Sequence, residues 1–497
     1  MALISKSLLV SLLFSLLVCA FSYRGKLQRS LDDARQCRMS KISTSQASRI
    51  IRSEGGITEL WDEYEDQFQC AGVAAMRNTI QPNSLSLPNF SPAPRVVYIE
   101  QGSGILGLSA PGCSESFRSG ERRSFQRGGQ TRERRLRDQH QQVQRIRSGD
   151  IIGIPPGVTH WCYNDDNSQE LIAFSVIDLT NKINQLDPKL RQFYLAGGEP
   201  RGQQERGREE EGRGRQEGNG KAGNIQQRYE STEGERRGEQ GRERFIQTIL
   251  PQIDTRFLAE SFGIPDELAQ RIQREDERGL IVRVEKQGMR VLIPEEEERE
   301  EEEREREGAS VNGLEELYCN VKIRQNIDTL RDIDIYSRQG GRLKTINRKN
   351  LPILEILDMS AQKVGLYSNA IFAPHWSTNA HTIAYITRGE GQIQIIGTNG
   401  QKVMDDRVRQ GDVIVVPQFF SSMCKAGSQG IEWIAIKTSD LPIHTPLVGY
   451  TSAIKGMPIE VLTNAYRISN QQAQDIKYNR EEQLMIFPSS SSRSDSS

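Results

Sequence analysis

The sequence predicts a mainly β protein of two tandem barrels, each followed by a helical arm. Three observations predict it. Short β-rich runs bounded by Pro and Gly recur along the chain, the pattern of a sandwich or barrel. The same order of runs and turns occurs twice, which marks an internal duplication. Long polar tracts interrupt the first copy and spare the second, so they read as insertions on a compact scaffold.

The chain has 497 residues, enough for two or three domains with full cores. Charged residues make up 26% of it, yet the net charge is −1. The part after Asn312 is slightly basic and the part before it slightly acidic. That balance argues against nucleic acid or an anionic membrane as the main partner. At the start, Lys6 precedes an apolar run from Leu8 to Ala20, with small residues at Ala20 and Ser22. This is the pattern of a secretory signal over residues 1–20, ending between 20 and 22. The run is short for a membrane span, and no later segment could serve. The mature chain therefore reads as soluble, and as maturing where disulfides are permitted.

The elements follow in order. From Gln36 to Cys70, turn residues alternate with a helical patch around Ile57, Leu60 and Trp61. From Val73 onward, strands are expected at Arg95–Ile99, Gly104–Leu108, Asp150–Ile154 and Leu171–Ile177. In the second copy, Gly411-Asp412-Val413-Ile414 with Pro417 repeats Gly149-Asp150-Ile151-Ile152 with Pro155. One register then carries Cys162 onto Cys424, Glu170 onto Glu432, Ile172-Ala173 onto Ile434-Ala435, and Asp178-Leu179 onto Asp440-Leu441. Upstream, Tyr98-Ile99 matches Tyr385-Ile386, and Gly102-Ser103-Gly104 matches Gly389-Glu390-Gly391. Gln392–Ile396, Asn399-Gly400 and Val403 read as a hairpin. In the first copy its turn falls at Gly112-Cys113, and an Arg/Gln-rich loop hangs from the tip. Each barrel is followed by a helical pair, with Leu258, Ile264, Ala269 and Ile272 answering Leu462, Ile468, Ala473 and Ile476. Pro265 or Asp266 opens one helix, and Ser469-Asn470 caps its counterpart.

These readings divide the chain as follows. The first barrel takes residues 37–196, with a polar loop near 114–142. A Gly/Arg/Glu/Gln-rich insertion runs over 197–245, the first arm over 246–290, and an acidic linker over 291–312. The second barrel takes 313–455, its arm 456–482, and a polar tail 483–497. The insertions lack apolar residues to offset their ordering entropy and are expected to be disordered. The Asn312-Gly313 bond follows the charged tract Glu295–Glu307, where proteolysis is easiest.

Gly149, Pro155, Gly157, His160 and Asn164 fit the second cupin motif, G-x5-P-x-G-x2-H-x3-N, at every fixed position. The resemblance implies two cupin barrels, each a double-stranded β-helix or jelly roll. In metal-binding cupins this His joins two His and a Glu from a first motif. Counting back from Gly102, those positions here hold Pro88, Phe90 and Arg95; in the second copy they hold His375, Ser377 and Thr382, and Ser422 replaces His160. His381 lies near His375 but off the motif. One imidazole per barrel is a poor transition-metal site, so neither a metal nor a cofactor is expected. No nucleophile elbow, P-loop or H-E-x-x-H is present. His160 and Cys162 would share a strand face, but Cys424 follows Ser422, so Cys162 and Cys424 read as free, buried, barrel-interior thiols. Asn89 heads a glycosylation sequon beside a strand and is expected to stay unmodified.

Six cysteines remain after the signal, and six allow roughly fifteen full pairings. With Cys162 and Cys424 set aside, Cys37, Cys70, Cys113 and Cys319 are left for disulfides. Cys113 precedes the Asn312-Gly313 bond and Cys319 follows it, so a bond between these two would keep a cut chain joined.

Taken together, the Asn312-Gly313-Leu314-Glu315-Glu316 junction, the four flanking cysteines, the duplicated barrels and the polar insertions resemble the legumin-type, or 11S, seed storage globulins. The resemblance spans essentially the whole chain after the signal. It implies Cys37–Cys70 and Cys113–Cys319 disulfides, and cutting after Asn312 by an asparaginyl endopeptidase. It also implies trimers of the proprotein, hexamers after cleavage, and a protein storage vacuole as destination. Family members are often food allergens. The function implied is a nutrient reservoir, not an enzyme. The competing readings are a small-ligand or sugar-binding cupin and a metal-dependent cupin enzyme.

Overall fold

The structure is a computed structural model. It describes residues 37, 39–62, 64–110, 113, 117–118, 139–140, 143–198, 246–274, 277–284, 289, 319, 321–480 and 484–488. The signal segment, most of the inserted tracts and the Asn312-Gly313 junction lie outside the described residues.

Short apolar runs bounded by Pro and Gly give strands, and the central ones are buried on both faces. In the first barrel these strands form two facing sheets. One runs in the order Arg49–Ser53, Gly56–Trp61, Val73–Ile80, Leu171–Asp178, Arg95–Gln101, Asp150–Ile154, Arg324–Asn326. The other runs Ile246–Thr248, Gln192–Tyr194, Ser84–Phe90, Thr159–Asn164, Ser103–Ser109, Val143–Arg147, with Ile281–Arg283 also on Ser84–Phe90. In the second barrel the long strands Thr382–Ile396 and Ser421–Lys437 pass through both faces, so the two sheets join into one. The hairpin expected there pairs Thr382–Ile396 with Lys402–Arg409, and Gly400 takes a φ of 75° in its turn. Its first-copy counterpart pairs Ser103–Ser109 with Val143–Arg147, and the inserted loop leaves between them.

Two expectations are corrected. The stretch around Ile57, Leu60 and Trp61 is a strand, Gly56–Trp61, paired with Arg49–Ser53 and Val73–Ile80. Thr58 and Leu60 on one face and Trp61 on the other are buried, and cross-strand pairing overrides local helix propensity. The helix of this region is Asp66–Ala71, closed by Gly72 in the left-handed conformation. The register of the duplication also slips. Cys162 pairs with Leu106 and Cys424 with Ile393, which are matching positions. Further on, Phe174 pairs with Tyr98 and Ile434 with Tyr385. Phe174, not Ile172, therefore answers Ile434. The first copy carries two extra residues in the loop between Asn164 and Leu171. A two-residue slip keeps every side chain on its own face, so the hydrophobic pattern does not betray it.

The barrels are fused by an apolar joint. Phe174 of the first stacks on Tyr385 of the second at 4.5 Å between ring centroids. Around them one continuous core cluster draws on both copies, including Val96, Ile151 and Phe174 with Ile383, Val413 and Ile434. Polar pairs ring it. Tyr385 donates to Glu100 at 2.9 Å, and Lys363 meets Asp328 at 2.7 Å, Tyr98 at 3.1 Å and Glu432 at 3.2 Å.

Each copy also lends chain to the other barrel. Arg324–Asn326, beyond the junction, forms the edge strand beside Asp150–Ile154. Arg324 pairs with the fully buried Asp150 at 3.0 Å. From the other end of the chain, Ile42 and Ser45 donate backbone hydrogen bonds to Val403 and Val413 of the second barrel, at 2.8 and 2.9 Å.

The arms are short helical hairpins. Asp254 caps Thr255–Phe262 through the amides of Arg256 and Phe257, and Asp266–Ile272 follows. In the second copy, Ser469 and Gln472 form a capping box on Asn470–Tyr478, which packs on Ile459–Tyr466. Each hairpin closes over a small cluster of its own, Leu258, Ala259 and Ala269 in one and Leu462 and Ala473 in the other.

Because the joint is shared, truncating Phe174 should weaken both barrels at once. Phe174→Ala is expected to cost about 3–5 kcal/mol. Denaturant unfolding followed by one probe in each barrel should shift in both transitions; a shift confined to the first barrel would mean the joint is not cooperative.

Candidate functional site

The cupin-motif residues lie along the strands Asp150–Ile154 and Thr159–Asn164 and the turn between them, and most do structural work. Gly149 takes a φ of 84°, and a Cβ there would lie 2.5 Å from a carboxylate oxygen of Asp328. Pro155 follows the strand Asp150–Ile154, and its carbonyl accepts from the Val158 amide at 3.4 Å. Gly157 takes a φ of 75°, and Phe419, its counterpart, adopts 65° without being glycine. Asn164 is fully buried and fastens a loop: its amide donates to Ile80 and Gln169 carbonyls at 2.9 and 2.8 Å, and its oxygen accepts from the Asp166 amide at 3.1 Å.

His160 points into the barrel. Its Nδ1 lies 3.4 Å from the Val158 carbonyl and its Nε2 3.4 Å from Nη1 of Arg95. Burial, then the Arg95 charge, pushes the imidazole down to about 3, so it is neutral. That makes Nδ1 the donor to Val158 and Nε2 the acceptor from Arg95. Across the ladder from His160 sits Asn89, the counterpart of His375, which faces Ser422. The first-motif positions of this copy are therefore Asn89 and Ser91, not Pro88 and Phe90: the loop leading to Arg95 is one residue shorter than its second-copy equivalent. Asn89 is 5% exposed and donates to the Leu87 carbonyl at 3.0 Å.

This donor set does not fit the divalent metal that the cupin fold implies. The ligand positions hold Asn89, Ser91 and a single imidazole, and a guanidinium stands where the motif has a carboxylate. Among the described residues, no group of three or more His, Cys, Asp or Glu could hold a metal ion.

The second barrel fails differently. His375 there has a second imidazole beside it, His444, with ring centroids 5.6 Å apart. Sequence reasoning missed His444, because it lies beyond every motif, on the short strand His444–Pro446. It also missed Lys437, which is 1% exposed and donates to the Thr382 hydroxyl at 2.8 Å. Burial pushes this amine down to about 7. Burial likewise holds His375 near 4, and burial with the Lys437 charge holds His444 near 2. A lysine beside two imidazoles repels a cation. Thr382 pairs across the ladder with Lys437 as Arg95 does with Ile177. Arg95 and Lys437 thus stand on opposite members of one equivalent cross-strand pair. His381 lies apart and accepts the Gln418 amide on Nδ1 at 3.2 Å.

The thiols are not nucleophiles. Burial pushes Cys162 and Cys424 up to about 12, so neither supplies thiolate at neutral pH. Cys424 is buried; Cys162 is half-buried, because it borders the cavity of the first barrel. The remaining four cysteines are bonded. Cys37 joins Cys70 with a Cα–Cα distance of 4.7 Å, and Cys113 joins Cys319 at 5.3 Å across 206 residues of sequence. Asn312 and Gly313 lie within that span but outside the described residues. Among the described residues no helix is long and apolar enough to cross a membrane.

The Cupin family model matches residues 42–201 and 325–474. An 11S globulin seed storage protein of Sesamum indicum is 44% identical over 98% of this chain and 99% of its own length. The chain belongs to the 11S seed storage globulins. The crystal structure of coconut allergen cocosin superposes with a TM-score of 0.72 at 38% identity, covering 91% of this chain and 99% of cocosin. An 11S globulin from Wrightia tinctoria, whose structure is described as revealing an auxin binding site, superposes with a TM-score of 0.73 at 33% identity, over 91% of this chain and 96% of that one. The 11S relatives are seed storage globulins, not enzymes.

Proposed function

We propose that this 11S globulin is a nutrient reservoir of the seed, made as a proprotein and cut after Asn312 by an asparaginyl endopeptidase. The products are an acidic and a basic chain held by Cys113–Cys319. The observation that supports this best is the pair of bridges spanning the junction. The disulfide crosses it covalently, and Arg324–Asn326 crosses it as an edge strand of the first barrel. A chain built this way loses nothing structural when cut between them.

The secretory signal and the junction accord with passage through the endomembrane system to a protein storage vacuole. Neither nucleic acid nor membrane is a partner in this reading; the partner is the chain itself. Trimers form first, and hexamers follow cleavage. The arms support this. Phe257 is 68% exposed, Phe262 60% and Tyr466 55%, so each hairpin presents aromatic surface that its own barrel leaves uncovered. Arms laid head-to-tail between protomers make a heterologous contact that closes a ring. Storage asks little else of the fold. A rigid core survives desiccation, while polar insertions remain open to protease on germination.

Two experiments test this. On a denaturing gel, protein from mature seed should run as one band without reductant and two with it, and the smaller should begin at Gly313. A single uncut chain in both lanes would remove the processing reading. Separately, Leu258 is enclosed within its own hairpin, so the exposed Phe257 is the residue to change. Phe257→Asp should give a folded monomer by sedimentation; trimers that persist would show that the arms do not carry assembly.

A further inference from the structure

We propose that the interior of the first barrel binds a small organic carboxylate, whose carboxylate is held by the Arg95 guanidinium and whose short apolar tail lies along the barrel wall. Arg95 opens the strand Arg95–Gln101 and is 5% exposed. Its Nη1 is spoken for by His160, but Nε and Nη2 have no partner among the described residues. Those two atoms form one edge of the guanidinium, the edge that donates two parallel hydrogen bonds to a carboxylate.

A third unmet donor stands on the same cavity. Gln192 accepts from the Tyr194 hydroxyl at 2.8 Å through its oxygen, while its Nε2 is unpaired among the described residues. Arg95, Gln192 and Tyr194 all line a cavity of about 60 Å³. One water needs roughly 10–15 Å³ on that scale, so the space takes a molecule of a few heavy atoms. No Asp or Glu lines it. Val97, Ile99, Leu106, Ile146 and Ile152 supply apolar wall, beside uncharged polar residues such as Ser86 and Asn89.

The charge has no other way out. An unpaired charge taken from water is costly, and the usual escape is to lose the proton. Lys437 of the second barrel has that option, since burial brings its amine to about 7, and it has the Thr382 hydroxyl as partner. Burial brings Arg95 only to about 10, so it stays charged at neutral pH. His160 is neutral and accepts from Nη1, so it does not compete with an anion. A guanidinium at the carboxylate position of a metal motif turns a cation site into an anion site.

The test uses the full-length protein in buffer free of carboxylate and chloride. Thermal unfolding is followed against acetate, butyrate, butyramide and sodium chloride, and calorimetric titration gives Kd. Butyrate should raise Tm saturably and bind at one site per chain, and butyramide should do neither. Arg95→Gln should weaken butyrate about 10- to 100-fold, as loss of a charged hydrogen-bonding partner does. Three results would overturn the proposal: no saturable response to butyrate in the unaltered protein, an equal response to butyramide, or unchanged butyrate affinity in Arg95→Gln. If chloride matched butyrate, the tail would not be recognised and the carboxylate assignment would fall. Should Arg95→Gln not fold, the butyrate–butyramide comparison still decides, and Gln192→Leu should weaken butyrate several-fold.

Discussion

The apolar joint between the two barrels is the constraint from which the rest follows. Phe174 on Tyr385 is its centre, and the core cluster around it belongs to both copies. A duplicated chain could have made two beads on a string. Here each copy completes the other: Ile42 and Ser45 from before the first barrel bond to the second, and Arg324–Asn326 from after the junction edges the first. Asp150, fully buried, is neutralised by Arg324 from beyond the junction. Removing Arg324–Asn326 would strip a sheet edge and strand a buried carboxylate, which is far costlier than losing an exposed ion pair. The chain can therefore be severed between the copies and remain one folded body.

That arrangement separates the scaffold from the chemistry its fold family can host. The glycines, the proline and Asn164 of the cupin motif keep their turns and loop fastenings, because the barrel needs them to close. The ligand positions carry no such duty. Asn89, Ser91 and Arg95 occupy them in one barrel, and His375, Ser377 and Thr382 in the other. Both interiors hold a buried cation at or across from the position where a metal site has a carboxylate, and they deal with it in opposite ways: Lys437 by a depressed amine and a hydroxyl partner, Arg95 by an open cavity. A storage protein asks only that its barrels be stable.

Much of this was legible in the sequence, and the failures are instructive. The strands at Arg95–Gln101, Ser103–Ser109, Asp150–Ile154 and Leu171–Asp178 stood out because they are short β-rich runs set off by Pro and Gly. The arms stood out because Leu258 and Ala269 recur as Leu462 and Ala473. What escaped was whatever pattern alone cannot fix. The two-residue slip after Asn164 leaves every residue on its face, so only the hydrogen-bond ladder exposes it. Gly56–Trp61 was read as helix, since its pairing partners are distant in sequence. Asn89 and Ser91 were missed by a count that assumed equal loops before Arg95. His444 and Lys437 lie outside any motif, and only the closed barrel brings them beside His375. The exchange of segments between barrels is invisible to any reading that treats each copy as its own unit.

The most direct test of this account is to cut the purified proprotein with an asparaginyl-specific endopeptidase, reduce it under native conditions, and measure its mass by sedimentation. If interlocked strands and the shared joint hold the molecule together, the cut and reduced chains will sediment with the mass of the uncut protein and separate only on denaturation. If they fall apart on reduction alone, the disulfide is the only link between them, and the interlocked architecture described here is not what makes the molecule one body.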